Sequence, residues 1–82
     1  MAGTKELHVA VVTPERALLD TTADFVAIPM FDGEAGVLPG RAALIGRLGY
    51  GELRIRKGGT TQRLFVDGGF VQVQGDVVTV LT

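Results

Sequence analysis

One imidazole, two carboxylates either side of a glycine, a loose series of glycines and a run of arginines are the residues here whose spacing invites a chemical reading. His8 is the single histidine, and the chain has no cysteine. A zinc or transition-metal site needs several His, Cys or carboxylate ligands within reach. His8 therefore reads as a partly exposed structural residue of an N-terminal strand. Asp32 and Glu34 flank Gly33. A carboxylate pair acting as acid and base needs surroundings that hold its two pKa values apart, and an exposed glycine-rich turn does not supply them. Gly46, Gly49 and Gly51 fit neither the phosphate-loop pattern, which ends in Gly-Lys-Ser/Thr ahead of a helix, nor the dinucleotide fingerprint of a βαβ unit. Arg41, Arg47, Arg54, Arg56 and Lys57 form a basic segment without the exposed aromatic platforms on which single-stranded nucleic acids stack. They read as a solvated face. No catalytic residue, cofactor or metal ligand is assigned, and the chain by itself reads as a non-enzyme.

The elements that would position any site have a period close to two. In "ELHVAVVT", Leu7, Val9 and Val11 point one way and His8, Ala10 and Val12 the other. Thr13-Pro14-Glu15-Arg16 turns the chain, followed by a short "ALLD" and then "ADFVAIPM". Pro29 has no N–H to give to a ladder, so that strand is expected to lie at an edge or bend there. "GELRIR" sets Leu53 and Ile55 against Glu52, Arg54 and Arg56, and "TTQRLFVD" sets Leu64 and Val66 against Arg63 and Phe65. "FVQVQ" and "VVTVLT" complete the series, separated by Gln74-Gly75-Asp76. "RAALIGRL" comes nearest to a helix, but Gly46 and Gly49 weaken it. Short strands with turn signals between them predict an all-β sandwich or barrel. Val9 and Val11 are backed by Ala10 and Val12, and Val78 and Val80 by Val77 and Leu81. Such two-sided apolarity calls for two packed sheets or an outer face that meets a partner.

Eighty-two residues predict one domain over 1–82, with a thin but adequate core. The polar start and the lack of an apolar run near the ~18 residues of a membrane span predict neither a spanning segment nor a secretory signal. Net charge is −1, which argues against free nucleic acid as the main partner.

"GEAGVLPGRAALIGRL", followed by "GELRI", "FVDGGFVQV" and "VVTVL", resembles the N-terminal β-sandwich domain of the ε subunit of F-type, proton-translocating ATP synthases. The opening "LHVAVVTPERALLD" is similar to that family's first hairpin, so the resemblance runs from about Glu6 to Thr82. Its most specific marks are Gly33-Glu34-x-Gly36-Val37-Leu38-Pro39-Gly40 and Gly68-Gly69-Phe70. Gly36 and Gly40 are expected to bracket a turn around Pro39 at φ values denied to bulkier residues. Gly68 and Gly69 are expected at a bulge or close backbone approach.

The resemblance implies a small two-sheet sandwich and a mechanical, non-catalytic role in the central stalk, between the γ subunit and the ring of c subunits. Glu34 matches a family carboxylate near the polar loops of the c-ring. The segment Arg41, Ala42, Ala43, Leu44, Ile45, Gly46 would lie toward γ. Arg41 stands where many members have His, and Ala43 where many have Pro. Many members continue into two C-terminal helices, whereas this sequence stops after "VVTVLT", so no C-terminal helical hairpin is expected. The implied location is peripheral, on the cytoplasmic face of a bacterial inner membrane and held there by the complex. The competing reading is a free-standing β-sandwich that binds a peptide or small ligand through its glycine-rich loops.

Overall fold

Alternation of apolar and polar residues becomes two sheets packed face to face. The computed structural model describes residues 6–40 and 43–82, in which the chain forms nine strands. These are β1 (Leu7–Val12), β2 (Ala17–Ala23), β3 (Phe25–Met30), β4 (Gly33–Val37), β5 (Leu44–Arg47), β6 (Tyr50–Lys57), β7 (Thr60–Asp67), β8 (Phe70–Gln74) and β9 (Val77–Leu81). One sheet runs β2-β1-β9-β8-β5, the other β4-β3-β6-β7. All pairings are antiparallel except β1 with β9, which brings the first and last strands side by side in parallel. Arg41 and Ala42 lie outside the described residues.

The inward set is the one the period-two pattern selects. Leu7, Val9, Val11, Val71, Val73, Val78 and Val80 from one sheet meet Val26, Ile28, Val37, Leu53, Ile55 and Val66 from the other, and all are buried. Each such aliphatic side chain contributes on the order of 1.5–3 kcal/mol of burial free energy. Among the described residues no polar or charged residue is buried in this core. No helix there is long and apolar enough to cross a membrane.

Three local readings change. Gly33–Val37, read as part of a glycine-rich turn, and Leu44–Arg47, which the sequence assigns to neither a helix nor a strand, are strands β4 and β5. Gly36 does not take the left-handed φ expected of it, whereas Gly33, Gly40, Gly68 and Gly69 all have positive φ. Gly36 sits within β4, where an added Cβ would lie 3.0 Å from Cε1 of Phe25; it is small because an aromatic ring covers it. Finally, β3 is an interior strand and not an edge. It accommodates Pro29 because its ladder with β6 covers only Phe25–Ala27, so no ladder position asks for the missing N–H. Pro29 pairs with Glu34 of β4 on one side, and its carbonyl accepts from Gly49 N–H at 2.8 Å on the other.

Gly68 and Gly69 carry the chain from β7 in the four-stranded sheet to β8 in the five-stranded one. Gly69 has φ +118°, and a Cβ there would overlap the carbonyl oxygen of Leu81. Both requirements select glycine. The neighbouring crossing, from β5 to β6, is tied down by Phe31 N–H donating to Arg47 O at 2.9 Å and Leu48 N–H donating to Gly69 O at 2.8 Å.

Candidate docking surface

Glu34 owes its position to β4, an edge strand of the four-stranded sheet. Its Oε2 accepts a hydrogen bond from Nη2 of Arg54 at 2.9 Å. Arg54 is on β6, and β3 lies between the two strands. Both side chains are largely open to solvent, so the pair fixes direction more than it adds stability. Beyond Glu34 the Leu38-Pro39-Gly40 segment leaves the sheet and is anchored to the other one, where Gly40 N–H donates to Oδ1 of Asp76 at 2.8 Å. Asp76 lies in the turn between β8 and β9.

Ala43 is exposed, and Leu44–Arg47 form β5, the opposite sheet's edge strand. Leu44 is half-buried, while Ile45 points outward at 76% exposure. Gly46 makes room for Met30, whose Cε would lie 2.6 Å from a Cβ at that position. The two edges open onto one cleft of about 460 Å3, lined by Phe31, Glu34 and Ala35 on one side and by Leu44, Ile45 and Gly46 on the other. The structure thus brings Glu34 together with Leu44–Gly46 across the gap between the sheets.

The outward face of the five-stranded sheet extends this surface. In register across it stand Val12 of β1, Leu81 of β9, Phe70 of β8 and Arg47 of β5. A second row holds His8, Val77 and Gln74. Phe70, Val77 and Leu81 are all about half exposed. The second apolar face read from the sequence is therefore real, and the sandwich itself does not cover it. His8 on this face pairs through Nε2 with Oδ1 of Asp20 at 2.6 Å, both exposed. Among the described residues no group of three His, Cys, Asp or Glu is arranged to hold a metal ion.

The basic segment is also not the plain solvated face expected of it. Arg47 lies 4.5 Å from the centroid of the Phe31 ring, and Arg56 5.3 Å from that of Phe25. Phe31, Tyr50 and Phe70 stand exposed around a further cleft of about 740 Å3 at the end of the sandwich where the chain crosses between sheets. Strand parity places Tyr50 and Phe65 outward, a signal present in the sequence. Phe31 lies between strands, where parity says nothing.

Residues 6–82 match the family model for the β-sandwich domain of the ATP synthase delta/epsilon chain. The chain is 63% identical over 76 residues to the ATP synthase epsilon chain of Rhodopirellula baltica, covering 93% of this chain and 59% of that one. It is 42% identical over 77 residues to the epsilon chain of Nitratidesulfovibrio vulgaris strain Miyazaki F, covering 94% and 58%. The chain thus spans a little under three-fifths of the length of these curated relatives. Its fold matches a chain in the structure of the Euglena gracilis mitochondrial ATP synthase with its c-ring, with a TM-score of 0.88 at 24% identity, over 100% of this chain and 54% of that one. A chain of the Tetrahymena thermophila mitochondrial ATP synthase central stalk and c-ring matches with a TM-score of 0.70 at 20% identity, over 96% and 67%.

Proposed function

The chain belongs to the delta/epsilon-chain β-sandwich family of ATP synthase, and from that premise we propose that it is a non-catalytic rotor element. In this reading it docks on the γ subunit and the c-ring and couples proton flow to ATP synthesis. The observation that carries the proposal is the outward row Val12–Leu81–Phe70, which runs toward the cleft shared by Glu34 and Leu44–Gly46. A half-exposed apolar stripe is the kind of surface a protein partner covers. An edge carboxylate already oriented by an arginine suits a second, polar partner.

The two surfaces have separate tasks. The five-stranded sheet's outer face lies on γ, where apolar burial supplies affinity. Glu34, at the cleft's other lip, faces basic and amide groups of the c-ring loops and sets register more than strength. Neither task needs a cofactor or a proton-transfer group. As one domain over 1–82, the sandwich passes torque as a wedge between the two. It sits at the cytoplasmic face of a bacterial membrane through the complex and not by insertion. The epsilon-chain relatives support the reading, as do the fold matches from assemblies with a central stalk or c-ring.

Co-purification with γ, followed by addition of the c-ring, tests it. Stoichiometric binding to γ that recruits the c-ring is the expected result. A folded sandwich that binds neither would leave only the fold in common with the family and would favour a ligand-binding role for the glycine-rich loops.

A further inference from the structure

The outer face of the four-stranded sheet has one end where positive charge outweighs the groups that answer it. Arg54 on β6 stands directly opposite Arg63 on β7, and Arg56 opposite Thr61. Like charges directly opposed across an antiparallel pair destabilise it unless an anion lies between them. Glu34 supplies a carboxylate to Arg54 at 2.9 Å. Among the described residues no carboxylate pairs with Arg56 or Arg63. Lys57, next along β6, is turned away toward Glu6 and the Thr22 hydroxyl. Glu52 and Asp67 lie on the same face but in register with Phe65 and Tyr50, toward the opposite end.

Arg56 is held against the Phe25 ring, which restrains its guanidinium without neutralising it. Phe25, Arg54, Arg56, Thr61 and Arg63 line an open cleft of about 260 Å3, and no carboxylate is among them. Guanidinium groups present forked donors that match phosphate oxygens two at a time, and a threonine hydroxyl adds a further donor. The geometry points to a phosphate-binding site in this cleft. Arg56 and Arg63 grip the phosphate group, Thr61 donates to it, and Arg54 is shared between it and Glu34. This site meets the docking surface only through Arg54 and does not depend on the rotor reading.

NMR titration of the 82-residue chain with inorganic pyrophosphate at low ionic strength tests the site. Saturable amide shifts confined to Arg54–Arg56 and Thr61–Arg63 are expected. Arg63→Gln weakens binding roughly two- to fivefold, the range for one exposed charged contact. Glu34→Gln, which frees Arg54 from its internal competitor, tightens binding by a similar factor. Co-sedimentation with phosphatidylglycerol vesicles but not phosphatidylcholine vesicles, lost in Arg63→Gln, identifies the source as a lipid headgroup. Pyrophosphate binding without co-sedimentation identifies a soluble phosphate. Shifts scattered over Arg16, Arg47 and Lys57 and indifferent to Arg63→Gln, or no binding of either probe, overturn the proposal.

Discussion

The two outward faces of this sandwich obey the same alternation and differ in the balance of apolar and charged side chains. On the five-stranded sheet the outward positions of β8, β9 and β5 include Phe70, Val77, Leu81 and Ile45. On the four-stranded sheet the outward positions of β6 and β7 include Glu52, Arg54, Arg56 and Arg63. Folding alone explains the inward residues of both. It does not explain why one sheet leaves a row of aliphatic side chains in water while on the other charges predominate beside the exposed Tyr50 and Phe65, and a monomeric sandwich gains nothing from that contrast. The contrast has a purpose if the apolar face is a docking face and the charged face remains in solvent, where ions and phosphate groups can reach it.

The comparison presupposes that the sheets keep their mutual arrangement, so the largest expected effect comes from the crossing between them. Gly69→Val forces a branched side chain to φ +118° against the backbone of Leu81. A loss of about 3 kcal/mol or more is expected, read as a fall of about 10 °C or more in thermal midpoint. A melt like that of the unaltered chain would mean that the crossing can relax and that the two faces are not rigidly related.

Next in size is the apolar face. Phe70→Asp and Leu81→Asp, made one at a time because the two residues stand opposite each other across β8 and β9, introduce charge at half-exposed positions, so the fold should change little, within about 0.5 kcal/mol for each. Binding to γ should fall more than about tenfold, as for residues near the centre of an interface. Retained affinity would move the docking face elsewhere.

A smaller effect is expected at the polar lip of the cleft. Glu34→Lys places a cation beside Arg54, whose guanidinium now reaches Glu34 at 2.9 Å. Docking on the c-ring should weaken roughly two- to fivefold and become more sensitive to salt, with γ binding unchanged. Equal loss at both partners would show that the cleft is not divided between them. The smallest expected change is in stability alone: Arg63→Gln removes the like-charge opposition with Arg54 and should raise stability by a few tenths of a kcal/mol. Denaturant melts resolve that shift if the slope is unchanged, and a clear loss would mean that Arg63 has an internal partner.

Much of this was legible in the sequence because period two is a local signal. The inward and outward sets of β1, β6, β7, β8 and β9 follow from alternation, and the second apolar face follows from Val77 and Leu81 flanking Val78 and Val80. What escaped depends on distant residues. β4 and β5 carry Gly36 and Gly46, which read locally as breakers, yet one lies beneath the Phe25 ring and the other against Met30. Pro29 suggests an edge or a bend, and nothing nearby in sequence reveals that the strand is interior with its β6 ladder ending at Ala27. Glu34 was singled out, but its orientation depends on Arg54, twenty residues away. The pairing of Arg54 with Arg63 is likewise a matter of register that alternation leaves open.

The chain's lack of cysteine permits the most direct test of the central claim. Leu81→Cys and Phe65→Cys, at positions 51% and 76% exposed on opposite faces, place a single thiol on each sheet. Alkylation rates are then compared with and without saturating γ subunit. The account predicts that γ protects the thiol at position 81 and leaves the one at position 65 as reactive as before. Protection at position 65 alone, or at neither position in a stoichiometric complex, would contradict the assignment of the apolar face to γ.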